Sequence, residues 1–209
     1  METSAVKTQV DPNQHDRFVM RQRLAAMVNR YEFALLDEDG TEHEPFCFVQ
    51  QARMKLKEDI GFYTDDTKSV ELMRIKARQA FDPKARYDVT AADGSKIGEI
   101  QKVFGKSLLR STYQIYDAAG NEVAIATEKS MPVAVFRRIA GMVSDYGDWL
   151  PIPYDFVFMR GEQVLGIHSR RRWKLRDTYT IDMSKDPDRT IDRRLILAIA
   201  VGMDALQAR

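Results

Sequence analysis

The residues best suited to bind something are cationic. His168-Ser-Arg-Arg-Arg-Trp-Lys-Leu-Arg176 carries five positive charges and no acid. Read as a strand, it alternates, sending Arg170, Arg172 and Lys174 to one face and Arg171, Trp173 and Leu175 to the other. Three cations on one face, with Arg137 and Arg138 as possible neighbours, would make an anion patch, each residue worth about 1 kcal/mol near an acidic bilayer. The competing reading is a solvated rim whose arginines pair with nearby aspartates. A second stretch, Arg17 to Arg30, holds four arginines and no acid. As a strand pair these charges form a solubilising face; as a helix they form a surface-seeking amphipath.

Groups that could do covalent or metal chemistry are sparse. The three histidines, His15, His43 and His168, sit far apart. His43 and Cys47, with Glu42 or Glu44 beside them, could supply half a metal site. A solvated loop followed by a strand, with Cys47 as a small buried hydrophobe, explains them more simply. Asp37-x-Asp39-Gly40 looks like the start of a calcium loop, but the glycine at the sixth position and the Glu at the twelfth are missing. It reads as a hairpin turn. The glycine-rich phosphate loops are absent. His168-Ser169 lacks a third triad member, and a hydrolase using His168 with a nearby carboxylate would need an open cleft beside it. The expectation is a non-enzymatic protein with no catalytic residues, no cofactor and no metal.

The elements that must position these residues follow from one recurring phrase: an aromatic, an alternating apolar stretch and a short Asp/Gly turn. It occurs from Tyr31 to Gly40, Tyr87 to Gly94, Tyr113 to Gly120 and Tyr154 to Gly161, and a last aromatic strand runs from Tyr179 to Met183. Period-2 alternation marks half-buried strands, and a glycine in each turn supplies the positive φ of a tight hairpin. The body from Phe18 to Met183 therefore holds roughly a dozen strands at the spacing of all-β domains. The chain end departs from this pattern. After the polar turn Lys185–Arg189, Thr190 is a plausible N-cap for a helix from Ile191 to Leu206. Between Leu195 and Met203 that helix has almost no polar face, so it is a buried one. A long antiparallel sheet and one all-apolar helix combine as a closed barrel with the helix on its axis, which also removes the sheet's edges.

Composition narrows the remaining classes. A net charge of +1, from 32 Lys and Arg against 31 Asp and Glu, argues against a nucleic-acid partner. With 44% hydrophobic residues the chain can bury a sizeable core. A single cysteine makes no internal disulfide and favours a reducing, cytoplasmic setting. Residues 1–17 are polar, lack a secretory h-region and read as a flexible tail, leaving 18–209 as one domain. The most apolar run, Leu195 to Val201, is far shorter than the about 20 residues of a transmembrane helix. The chain is expected to be soluble, or peripheral on a membrane surface. Ile139–Pro153, with Gly141, Gly147, Pro151 and Pro153, reads as a specialised loop carrying Tyr146 and Trp149, either a protein-partner surface or a cover for one end of the barrel.

Asp192-Arg-Arg-Leu-Ile-Leu-Ala-Ile-Ala-Val-Gly-Met-Asp204 resembles the C-terminal helix of the LURP-one-related proteins, relatives of tubby and of the phospholipid scramblases. Phe18-Val-Met-Arg-Gln-Arg-Leu24, Tyr31-Glu-Phe33 and Asp39-Gly40 are similar to that family's first strands, and the order of the hairpins matches. The resemblance covers about Phe18 to Leu206. It implies a tubby-like barrel of about twelve strands around a central hydrophobic helix, with no catalytic residues. It also implies phosphoinositide-type headgroups as a ligand class, since tubby is a phosphoinositide-binding module. The chain departs from the scramblases in lacking their cysteine-rich segment and Pro-rich N-terminal region.

Overall fold

The computed structural model describes residues 9–24, 28–52, 59–78, 86–104, 111–128, 154–171 and 178–207. Twelve strands form one closed antiparallel barrel. They are β1 (Arg17–Leu24), β2 (Val28–Leu36), β3 (Glu42–Ala52), β4 (Asp59–Tyr63), β5 (Glu71–Ala77) and β6 (Arg86–Ala91), then β7 (Lys96–Phe104), β8 (Ser111–Asp117), β9 (Glu122–Glu128), β10 (Tyr154–Arg160), β11 (Gln163–Arg171) and β12 (Thr178–Asp182). Each strand pairs with its sequence neighbours, and β1 meets β12 to close the ring, with Arg17 opposite Asp182 and Arg21 opposite Thr178. Closure leaves no free edge to pair with another chain.

The hairpins turn where the Asp/Gly phrases stand. Gly40, Gly94, Gly120 and Gly161 all have positive φ, from 55° to 89°. At Gly94 the φ of 84° is one that L side chains rarely adopt, and Asp93 completes the turn by accepting a 2.9 Å hydrogen bond from the Ser95 amide. Alternation then fills the lumen. Tyr31 and Phe33, Met73 and Ile75, Tyr87 and Val89, Tyr113 and Ile115, Phe156 and Phe158, and Tyr179 and Ile181 all join one core.

The helix α1 (Arg193–Gln207) supplies the centre of that core. Every residue from Leu195 to Val201 is at most 1% exposed, so no side of the helix faces water. It packs most intimately against β7, where Gly98 admits it. A Cβ at Gly98 would sit 2.9 Å from Leu195 Cδ1 and collide with the Tyr116 carbonyl.

The helix starts later than its sequence predicts. Thr190 is not the cap, because the Asp186 carboxylate holds both its amide (3.0 Å) and its hydroxyl (2.5 Å). Asp192 caps instead, accepting from the Arg194 amide at 2.9 Å, while Asn13 Oδ1 accepts from the Arg193 amide at 2.8 Å. Asn13 belongs to a 3-10 turn, Pro12–Gln14, in which Pro12 is buried. Residues 9–16, read from sequence as part of a flexible tail, are thus ordered against the start of the helix.

Candidate functional site

The cationic candidates divide between the barrel mouth and its outer wall. Arg170, near the end of β11, lies opposite Tyr179 and on the same alternation as His168, which lies opposite Ile181. Tyr179 and Ile181 point into the lumen, so exposed Arg170 stands on the lumen-facing register where the strand runs out at the mouth. Arg171 takes the other face. It donates to Thr180 Oγ1 at 2.6 Å and to Glu42 Oε1 at 2.6 Å. Alternation splits the pair as the sequence predicts, but it is Arg171 that lies on the outer wall. Arg172, Lys174, Arg137, Arg138 and the Ile139–Pro153 loop lie outside the described residues.

The described residues of the Arg17–Arg30 stretch lie in β1 and β2, not in a surface helix. Arg21 also pairs with Glu42, so two guanidinium groups from distant parts of the chain converge on one carboxylate. Beside them Arg17 reaches Asp182 at 3.2 Å and Arg23 reaches Glu32 at 3.0 Å. Arg30 lies directly across from Arg23, and no carboxylate pairs with it among the described residues. Across β1, β2 and β11, guanidinium groups and carboxylates therefore interleave, with Glu42 shared between two arginines.

His168 sits differently from a catalytic histidine. It is 1% exposed, its ring stacks on Tyr179 with centroids 4.9 Å apart, and Phe156 lies 6.3 Å away. Neither ring nitrogen has a hydrogen-bond partner among the described residues, and neither does the Ser169 hydroxyl. A general base needs an orienting partner and access to substrate, and among the described residues no carboxylate bonds this ring. Burial lowers the His168 pKa to about 3. The folded protein therefore keeps the ring neutral while the unfolded chain takes up a proton below about 6.5. Stability present above that pH is lost as pH falls toward 3, at no more than about 1.4 kcal/mol per pH unit. His168→Phe should flatten this part of the profile and keep or raise stability at pH 7, as chemical denaturation between pH 7 and 4 will show. A variant with the unchanged slope would mean the ring is not buried neutral.

The half-site read from His43 and Cys47 does not assemble. His43 Nε2 bonds Asp37 Oδ2 at 2.8 Å in solvent, whereas Cys47 is buried opposite Phe33 and burial pushes its thiol pKa up. Among the described residues no group of three or more His, Cys, Asp or Glu side chains is placed to hold a metal ion. No described helix is long and apolar enough to cross a membrane.

The cluster that sequence reading missed surrounds Arg193. Its guanidinium is fully buried and donates to Asp186 Oδ2 and Asp16 Oδ1, each at 2.7 Å. It also donates to the carbonyls of Asp186, Ile191 and Met183 at 2.8, 3.2 and 3.4 Å. Burial alone would raise the Asp186 pKa, but hydrogen bonds from Thr190, Arg193 and two backbone amides outweigh it and hold it below the usual carboxylate value. A signal was present: an arginine at the entrance of an all-apolar helix, with acids at 186, 188 and 192 before it.

No curated protein matches the chain. Among solved structures, a porin-like protein from Bacteroides uniformis ATCC 8492 aligns over 81% of this chain and 96% of its own at 10% identity, with a TM-score of 0.20. A likeness at that score says nothing about this fold. The model of the LURP-one-related family matches residues 46–204. That span takes in most of β3, all of β4 to β12 and most of α1, leaving β1 and β2 before it, and it covers well over half of the sequence: the chain belongs to the LURP-one-related family.

Proposed function

We propose that this barrel is a non-enzymatic, peripheral binding module for anionic phospholipid headgroups, working in the cytoplasm. The observation that carries the reading is the convergence of Arg21 and Arg171 on the single carboxylate of Glu42. Two guanidinium groups brought side by side present planar N–H forks, the donor geometry that suits a phosphate oxygen. Arg170 stands at the mouth, on the opposite alternation from Arg171, and Arg172 and Lys174 follow it in the chain. Attraction of this kind is electrostatic, so salt weakens it over a screening length of about 8 Å at physiological ionic strength.

Co-sedimentation with vesicles tests it. The protein should pellet with vesicles containing phosphatidylserine or phosphoinositide at low salt and not with phosphatidylcholine alone. Converting Arg170, Arg172 and Lys174 together to Glu should weaken binding at least about a hundredfold, since each cation contributes about 1 kcal/mol. No binding to strongly acidic vesicles at low salt would remove the lipid reading. The Ile139–Pro153 loop as a protein-docking surface would then stand first.

A further inference from the structure

At the start of α1, a cleft of about 290 Å³ opens to solvent between the helix, strands β3 and β5 and the N-terminal segment. Its apolar lining is Val10, Phe46, Cys47, Leu72, Met73 and Leu197. Gln9, Asp11, Pro12 and Arg194 complete it, so the ordered N-terminal strap forms one wall.

We propose that this cleft binds a neutral aromatic molecule about the size of indole or naphthol. Small-molecule sites are clefts with an apolar wall and a few polar groups at the rim, and a space of this size suits a two-ring compound. The lining suits aromatic rings: Phe46 supplies a ring edge or face, and the Met73 thioether is a favourable neighbour for another. The rim explains neutrality. Arg194 is held by Asp192 through Nε at 3.0 Å and Nη2 at 2.6 Å, and Asp11 lies on the same rim. A charged ligand would meet opposed charges there without a free partner. Gln9 offers a neutral amide for a single hydroxyl or N–H. This site is separate from the cationic wall and does not depend on lipid binding.

The test uses the whole chain with indole, 2-naphthol and 2-naphthalenesulfonate as probes. Indole and 2-naphthol should raise the Tm saturably, and the sulfonate should bind at least tenfold more weakly. Leu72→Trp, which places a large ring in the cleft from its partly buried rim, should abolish the shift. In the unaltered protein, saturating 2-naphthol should slow methyl methanethiosulfonate labelling of Cys47 at least fivefold. That measurement decides the matter if Leu72→Trp does not fold. The proposal is overturned by any of four results: no saturable shift, equal binding of the sulfonate, binding that survives Leu72→Trp, or a Cys47 labelling rate that is unchanged by the probe or too slow to detect.

Discussion

Arg193→Met will lower the free energy of unfolding by about 3–5 kcal/mol, the range for removing one partner of a buried ion pair. The cost is not the loss of one contact. Asp186 is 2% exposed, and without the guanidinium its carboxylate stays out of water with only Thr190 and two amides to satisfy it. Three backbone carbonyls lose a donor at the same time. Adding Asp186→Leu to Arg193→Met should recover part of the stability, because an apolar pair leaves no buried charge. Recovery will be partial, since Asp186 also ties down the turn before the helix. The lowered Asp186 pKa fixes the pH trend: its stabilisation is present above the ordinary value of 3.8 and is lost as pH falls through the folded value. Urea titrations at pH 7 and pH 3 measure both effects. A loss under 1 kcal/mol at pH 7 would show that the cluster does not hold the helix in place.

Ile199→Asp is the second large effect. Ile199 is fully buried in the middle of α1, inside the ring of strands. A carboxylate there has no water to turn to, and the nearest turns of its own helix are apolar from Leu195 to Val201. The expected result is a loss of several kcal/mol, enough to leave most of the chain unfolded or insoluble. Ile199→Val, which only trims a methylene group, should cost about 0.5–1.5 kcal/mol and serves as the reference. A soluble Ile199→Asp protein with the Tm of the unaltered chain would place the helix outside the barrel.

The architecture was legible because its signals are local. Apolar residues at alternate positions, led by an aromatic, and a glycine in each turn mark strand and hairpin within ten residues, as from Tyr31 to Gly40. The uniform apolarity of Leu195–Val201 could only mean enclosure. What stayed hidden depends on contacts between distant positions. The pairing of Arg171 with Glu42 joins residues 129 apart, and that of Arg193 with Asp16 joins residues 177 apart. The face of Arg170 follows from its register with Tyr179, which alternation alone leaves open to a one-residue shift. The cleft is assembled from the N-terminal segment, β3, β5 and α1, and no motif announces such a space.

The closing pair of strands has a consequence for how the molecule is made. β1 can find β12 only after ten intervening strands have been synthesised, and α1 follows β12. During synthesis the lumen side chains of the early strands have neither ring nor filling, so apolar surface waits in the open for its last partner. Contacts this distant in sequence make folding slow, and slow folding with exposed strands invites aggregation. The nascent barrel must therefore remain an unfinished sheet, exposed to chaperone capture, until the ribosome has released the segment that plugs it.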